Sequence, residues 1–528
     1  MPIRILVSAA LDEGGLNILR AHKDFELTVV EPLNGPELAH ALKGMDAVIV
    51  RSESKLTREV LAKVSGLRVI GRAGSGVDNI DVAAATERGI AVLNAPGGNT
   101  VTAAEHTLAL MLSLARHIPQ ANAKLREGVF DRKSFVGVEL NGKTLGVVGL
   151  GQIGAVLAER CKALNMRIVA YDPFVTEERA RQLGVITAPL EEVFKVADFL
   201  TVHTPLNDKT KGIIGKRAFE LCKRGVRVIN CARGGLIDEV ALLEALNSGK
   251  CAGAALDVFE KEPPAKDDPL VLHPRVVCTP HLGASTIDAQ EHVAEIICQA
   301  VSAYLLTGAI SGAVNLPSLS AEKYAQVKPW LTLARRFGSV LGATHEGALG
   351  SVTISYDGEI SKFETRMLTR ALLAGLLARE CDNVNMVNAL DLAKQRGHAV
   401  SEQSSETARD FASLITVRIG ASFEASATLY GNNDPRIVAF NGVRLEALLE
   451  GPMLWLTNDD KPGVIGRIGT VIGESGVNIA RFHLGRGQSK DRALAVVAID
   501  SPAPAELIAK LKAAPNITSV HSVDLTGL

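Results

Sequence analysis

Residues 144–172 read TLGVVGLGQIGAVLAERCKALNMRIVAYD, and this stretch decides the fold. Its first six residues, Thr144 to Gly149, form a short apolar, β-branched run that reads as a buried parallel strand. Gly149-Leu150-Gly151-Gln152-Ile153-Gly154 follows at once. Residues 155–163 then read as a helix and 167–172 as a second strand, with Asp172 at its tip. Gly149 permits a tight turn, Gly151 lets a pyrophosphate approach a backbone without a Cβ, and Gly154 lets helix and strand pack closely. The helix N-terminus offers free N–H groups and a positive dipole end to the phosphates. Asp172 can accept hydrogen bonds from a ribose diol and would repel a 2′-phosphate, so the pattern favours NAD over NADP. A lone glycine fingerprint is weak evidence, but here strand, glycine turn, helix and distal acid stand in order.

The bulk composition narrows the possible partners. A chain of 528 residues, 47% of them apolar, can bury several cores and suggests about three to four domains. Its 57 basic and 58 acidic residues leave a net charge of −1, with no polybasic surface for nucleic acid or membrane. Aromatics, at 4%, are too few for base-stacking platforms. The expected partners are small molecules and copies of the chain itself. Cys161, Cys222, Cys231, Cys251, Cys278, Cys298 and Cys381 are scattered, odd in number and without a CxxC pair. They fit a reducing compartment rather than a disulfide framework or zinc site, and no metal is expected. The N-terminus runs straight into a strand without a signal-peptide pattern, and no run reaches the ~18 apolar residues of a membrane span. A cytoplasmic protein is expected.

Taken in order, the chain falls into four parts. Residues 1–97 alternate strands (3–8, 26–30, 47–50, 68–72, 91–94) with helices (57–64, 82–88), which predicts a small flavodoxin-like parallel unit. A strongly apolar helix over 105–116 leads into a Rossmann domain assigned to 98–287, with further strands at 199–203, 227–230, 252–256 and 276–279. A long helix over 287–305 crosses back, so 288–316 completes the first domain, leaving it discontinuous. Strand carboxyl ends of the two domains are expected to face a common cleft. Residues 317–451 form an α+β region whose strands (351–356, 414–420, 423–430) alternate like antiparallel ones, with a helix over 361–379. Residues 452–528 read β-α-β-β-α-β, a ferredoxin-like module with strands at 453–456, 477–484, 492–499 and 517–523 and helices at 463–474 and 503–513.

Three clusters sit just beyond predicted strands of the Rossmann domain. Asn230-Cys231-Ala232-Arg233-Gly234-Gly235 places a guanidinium where it can grip a carboxylate bidentately. Asp257-Val258-Phe259-Glu260-Lys261-Glu262 supplies carboxylates, and Thr279-Pro280-His281 supplies an imidazole. A carboxylate beside a histidine orients the ring and stabilises its charged form, giving a tunable acid/base. A lone arginine or histidine after a strand is more often structural. The three together in a dinucleotide-binding domain point to catalysis.

These motifs resemble those of the D-isomer-specific 2-hydroxyacid dehydrogenases. GRAGSGVDNID (71–81), ELNGKTLGVVGLGQIG (139–154), NCARGGLID (230–238), AALDVFEKEPP (254–264) and PHLGAST (280–286) are specific in combination. Within that family the whole chain resembles the long forms that oxidise 3-phospho-D-glycerate to 3-phosphohydroxypyruvate with NAD, opening phosphorylated L-serine biosynthesis. The resemblance makes His281 the general acid/base, Glu262 its support and Arg233 the holder of the substrate carboxylate. For the cofactor it implies Ser75, Gly149, Gly151, Gln152, Ile153, Gly154, Asp172, Thr204, Cys231, Arg233, Asp257, His281, Gly283 and Ala284. Gln152 stands where many members carry Arg, which removes one charged pyrophosphate contact.

Arg51 and Arg72 each follow a strand of the first domain and suit a dianionic phosphate. Ser75, Gly76 and Asn99 are expected to line the same cleft, and Arg132 resembles a residue supplied by a neighbouring subunit. The last module resembles an ACT domain, in which Asn458, Asp460 and Asn478 would bind an amino acid, L-serine by implication. Arg436 and Arg444 of the middle region can form an anion site or simply a solvated face. An Arg132 contributed in trans requires at least a dimer, and two dimerising modules point to a tetramer. Reduction of 2-oxoglutarate to 2-hydroxyglutarate is a conceivable side reaction. The rival readings are a reductase of unphosphorylated 2-oxo acids and a non-catalytic NAD-sensing scaffold.

Overall fold

The computed structural model describes residues 2–408, 410–431, 433–487 and 491–528. The chain forms two compact units, one of Met1–Ala10, Leu16–Asn94 and Ile297–Leu528, the other of Leu11–Gly15 and Ala95–Ile296.

The first unit begins with a parallel sheet of β1 (Ile3–Ser8), β2 (Phe25–Val30), β3 (Ala47–Val50), β4 (Val69–Arg72) and β5 (Ala91–Asn94), in the order β2-β1-β3-β4-β5. β3 is AVIV and wholly buried, as a continuous apolar run must be when helices cover both sheet faces. The order places the residues following β3 and β4 at one carboxyl edge. Arg51 directly follows β3 and Arg72 ends β4 at that edge, with Ser75 and Gly76 just beyond.

The second unit holds β6 (Thr144–Val148), β7 (Arg167–Tyr171), β8 (Ile186–Thr187), β9 (Phe199–Val202), β10 (Val226–Asn230), β11 (Cys251–Leu256) and β12 (Val276–Cys278). They form one sheet in the order β12-β11-β10-β9-β6-β7-β8, with every neighbouring pair parallel. The order reverses between β6 and β9, and at such a switch point the connecting helices diverge to opposite faces and open a crevice beyond the strand ends. The helix Gln152–Ala163 begins earlier than the apolar pattern alone indicates, so Gln152, Ile153 and Gly154 form its first turn. The helix Thr100–Arg116 likewise begins at a run of small and polar residues (TVTAA) ahead of its apolar periodicity, with Asn99 as its N-cap residue.

The helix Ile287–Thr307 leads back into the first unit. There the helix Ala321–Thr344 packs backbone to backbone on the helix Thr365–Leu376. A Cβ at Gly338 would strike Leu372 O, one at Gly342 would strike Leu376 O, and one at Gly375 would strike Arg335 O. Six strands follow in the order β14-β13-β15-β16-β17-β18: β13 (Ser351–Gly358), β14 (Ala399–Ser405), β15 (Ser413–Ile419), β16 (Phe423–Tyr430), β17 (Asp434–Phe440) and β18 (Val443–Leu448). The three expected strands do pair antiparallel, β13 with β15 and β15 with β16, whereas β14, a strand the sequence does not announce, runs parallel to β13. Two helices intervene between them, giving the long crossover that a parallel pair needs.

The last sheet, β20-β21-β19-β22, is antiparallel throughout: β19 (Pro452–Asp459), β20 (Ile479–Arg486), β21 (Arg492–Ile499) and β22 (Ile517–Asp524). With the helices Val464–Glu474 and Ala505–Ala513 it makes the β-α-β-β-α-β module, closed by a core that includes Leu454, Ile468, Val497 and Leu507. Among the described residues no helix is long and apolar enough to cross a membrane.

Candidate active site

The carboxyl edge of the seven-stranded sheet collects the candidate residues of the second unit. Gly149 follows β6 with φ of 98°, a left-handed conformation that glycine alone adopts cheaply. A Cβ there would lie 2.7 Å from His203 O, so the turn packs on the end of β9. A Cβ on Gly154 would collide with Gly149 O. At Gly151 nothing lies within 4 Å of the Cβ position, leaving open space in front of a helix N-terminus. Asp172, just past β7, accepts from Leu150 N–H (2.8 Å) and Phe174 N–H (2.9 Å), which fixes its carboxylate beside the glycine turn. Gln152 accepts from Thr100 Oγ1 (3.2 Å), and Ile153 packs against the apolar core. Past β9, Thr204 Oγ1 is buried without a hydrogen-bond partner, as is His203 Nδ1. The open space at Gly151, the fixed acid and the unsatisfied hydroxyl fit a bound dinucleotide.

Asn230 shapes the arginine loop. It ends β10 almost fully buried, donates to Arg233 O (2.8 Å) and accepts from Ala232 N–H (3.0 Å). Cys231 is buried behind it, and burial pushes its thiol up to about 12, which leaves it uncharged and apolar. Gly234 is pressed against the Phe259–Glu260 backbone so closely that any Cβ would overlap Phe259 O. The loop bearing Arg233 and the loop leading to Glu262 therefore lie in contact.

His281 has a φ of 57°, uncommon for a residue with a Cβ. Its N–H donates to Asp257 O (2.9 Å), and its Nδ1 lies 2.8 Å from Glu262 Oε2. Glu262 Oε1 accepts from Phe259 N–H (3.1 Å), so both carboxylate oxygens are held. With Nδ1 donating to the carboxylate, Nε2 keeps its lone pair and can take a proton.

Asp257 is fully buried and organises this loop. Its Oδ1 accepts from Thr279 Oγ1 (2.6 Å), Leu282 N–H (2.7 Å) and His106 Nε2 (3.1 Å), and its Oδ2 accepts from Gly283 N–H (2.8 Å). Burial alone would raise its pKa, but hydrogen bonds from His106, Thr279 and Leu282 overcome this and hold the carboxyl below its usual range. The family resemblance implies Asp257 as a cofactor ligand. In the structure its oxygens are taken up by protein donors that brace residues 279–283, with Ala284 next along the same segment. His106 and Thr279 were not singled out from sequence. His106 stands between Glu105 and Thr107 at the start of an apolar run, with nothing in the sequence to mark it.

The remaining candidates divide between the units. Asn99 and exposed Arg132 lie in the second, whereas Arg51, Arg72, Ser75 and Gly76 lie in the first. Arg51 Nη1 donates to Ala10 O (3.4 Å), Arg72 Nη1 to Ala73 O (3.4 Å), and Asn94 Nδ2 ties down Ser75 O (2.6 Å). In the last module Asn458 is buried with Oδ1 unpartnered, Asp460 pairs with Arg486 Nε (3.1 Å), and Asn478 donates to Asp500 (2.6 Å). Arg436 lies over the Tyr430 ring at 4.9 Å, and Arg444 reaches Asp410 at 3.5 Å. Among the described residues no group of three or more His, Cys, Asp or Glu could hold a metal.

Comparison with known proteins places this geometry. Residues 108–283 match the D-isomer specific 2-hydroxyacid dehydrogenase NAD binding domain, 326–441 the D-3-phosphoglycerate dehydrogenase intervening domain, and 456–516 the ACT domain. The D-3-phosphoglycerate dehydrogenase of Bacillus subtilis is 42% identical over 526 residues, covering 99% of each chain. That of Archaeoglobus fulgidus is 40% identical over 529 residues, covering 99% of this chain and all of that one. The chain belongs to the D-3-phosphoglycerate dehydrogenase family. The D-lactate dehydrogenase of Aquifex aeolicus, solved with NAD and lactic acid, is 29% identical with a TM-score of 0.53, covering 60% of this chain and 100% of that one. A glyoxylate reductase structure from Paecilomyes thermophila is 28% identical with a TM-score of 0.55, over 59% of this chain and 98% of that one. Both match little more than half of the chain, whereas the D-3-phosphoglycerate dehydrogenases align along its whole length. The expected NAD-dependent oxidoreductase with an ACT domain is borne out.

Proposed function

We propose that the chain oxidises 3-phospho-D-glycerate to 3-phosphohydroxypyruvate with NAD, the first step of phosphorylated L-serine biosynthesis, and that L-serine regulates it through the ACT domain. The observation that carries the catalytic reading is the His281–Glu262 pair at 2.8 Å with Nε2 left open. Nε2 takes the C2 hydroxyl proton, and Glu262 stabilises the imidazolium that results. Arg233 grips the C1 carboxylate and polarises the C2 oxygen. NAD, when bound, would supply the hydride acceptor. Gly149, Gly151 and Gly154 with the helix N-terminus hold its pyrophosphate, and Asp172 holds its ribose. Arg51 and Arg72 take the substrate phosphate, Ser75, Gly76 and Asn99 line its path, and Arg132 completes the site from a neighbouring subunit of a dimer or tetramer. Seven free cysteines support a reducing cytoplasmic setting.

The test follows NAD reduction with 3-phospho-D-glycerate and with D-glycerate. His281→Asn lowers kcat by about 10²–10⁴-fold with NAD affinity kept. Arg51→Ala and Arg72→Ala each cost about 10–100-fold in kcat/KM for the phosphorylated substrate and little for the other. Equal losses on both substrates would remove the arginines from the phosphate site. Turnover confined to unphosphorylated 2-oxo acids would favour the reductase reading.

A further inference from the structure

We propose that a cavity at the amino edge of the first sheet binds a phosphate-bearing small molecule. The cavity lies within the first unit and encloses about 920 Å³. Arg68 and Ile90 stand immediately before β4 and β5, so it opens at the end of the sheet opposite Arg51 and Arg72. It is therefore separate from the proposed substrate phosphate site, and the proposal does not rest on the catalytic reading.

Four cationic side chains line it: Arg68, Arg88, Lys328 and Arg335. Arg335 comes from the helix Ala321–Thr344, and its Nη1 is buried with no hydrogen-bond partner. A desolvated guanidinium N–H without an acceptor is costly and calls for an explanation, and an anion drawn to the lining side of the same guanidinium is one. Burial also lowers the Arg335 pKa, with no carboxylate opposing it. Among the described residues no ion pair holds Arg68, Lys328 or Arg335. The lining acids do not balance this charge. Glu87 is already gripped by Arg58 at 2.6 and 3.0 Å, Leu528 O accepts from Arg336 Nε at 2.9 Å, and Asp382 is exposed.

The rim is built rather than loose. Asn385 Nδ2 donates to Gly89 O (2.8 Å), and Asn385 N–H donates to Asn388 Oδ1 (2.8 Å). Gly89 has a φ of 72°, and a Cβ there would collide with Asn385 Nδ2. The volume falls in the range of small-molecule sites and exceeds what a bare anion fills. Guanidinium forks read the phosphate oxygens bidentately, and Lys328 supplies a point charge. Tyr304 and Tyr324, also on the lining, add aromatic surface that suits an organic body.

The probe is inorganic pyrophosphate, titrated by calorimetry into the full-length protein at fixed ionic strength. Wild type is expected to bind it. Arg335→Gln weakens binding at least tenfold and Lys328→Gln at least threefold, while Arg51→Ala with Arg72→Ala changes it less than twofold. Lys328 is exposed, so Lys328→Gln keeps the test decisive if Arg335→Gln fails to fold. The proposal is overturned if both glutamine variants bind as wild type does, if wild type does not bind, or if binding disappears with Arg51 and Arg72, since the anion would then sit at the substrate site. Turnover of Lys328→Gln without added anion is expected to match wild type. Failure of the catalytic reading would show instead as absent turnover with pyrophosphate binding intact.

Discussion

A single buried carboxylate governs the placement of His281. Asp257 is fully buried and holds Thr279, Leu282 and Gly283, while its own main-chain carbonyl receives His281 N–H. His106 braces it from a helix 151 residues away. His106→Leu leaves the carboxylate short of one donor and is expected to cost about 1–3 kcal/mol in stability. It should lower kcat more than it weakens NAD, and His106→Gln, which restores an N–H donor, should recover most of the loss. Unchanged kcat in a folded His106→Leu protein would confine His106 to scaffolding. His203 gives a pH signature. Burial pushes its imidazolium down to about 4 from 6.5, so the unfolded chain takes up a proton that the folded chain refuses. Stability held above pH 6.5 is therefore lost as pH falls towards 4, by on the order of 3 kcal/mol. His203→Asn should flatten that limb in denaturant titrations between pH 7 and 4, and a variant as acid-sensitive as wild type would contradict the assignment. Arg233, Glu262 and His281 were legible because each stands a few residues past an apolar strand. The brace through His106 was not, because a hydrogen bond between distant segments leaves no periodic trace.

At the level of elements, legibility followed burial. β3, β6 and β9 are wholly buried runs, and the sequence places them within a residue or so. β14 (AVSEQSS) is an edge strand with mostly exposed, polar side chains, and its composition reads as loop. The helix Ala321–Thr344 carries no clear sequence signal either, because Pro329 sits inside it and interrupts the helical pattern. Its GSVLG segment nonetheless has a physical purpose. Gly338 and Gly342 lie one turn apart and, with Gly375, let two helices meet without intervening side chains. Gly342→Ala forces the backbones apart at Leu376 O and is expected to cost about 1–3 kcal/mol, read as a lower melting temperature. Ser339→Ala, three residues earlier on the same helix, is the control and should change little. Equal melting temperatures for Gly342→Ala and wild type would mean that the helices part freely there.

For the whole molecule, the succession of motifs announced a dehydrogenase followed by an intervening and an ACT domain, and whole-length relatives agree. What sequence could not supply is the state of the residues proposed to bind the ACT ligand. Asp460, the proposed acceptor for an amino acid's ammonium, is paired with Arg486 Nε at 3.1 Å, and Asn478 is spent on Asp500 at 2.6 Å. An arriving L-serine must compete with Arg486 for the same carboxylate. Arg486 is exposed and Asp460 half-buried, and a pair open to solvent on one side is worth about 1 kcal/mol, so the competition weakens serine about fivefold rather than blocking it. Three titrations of NAD reduction against L-serine decide the matter. Wild type should be suppressed by serine, Arg486→Gln should be suppressed at a severalfold lower concentration, and Asp460→Ala should lose the response while keeping serine-free turnover. Suppression that persists in Asp460→Ala would move the serine site elsewhere. If all three proteins ignore serine, the ACT domain serves assembly alone, and the buried, unpartnered Asn458 Oδ1 becomes the place to ask why.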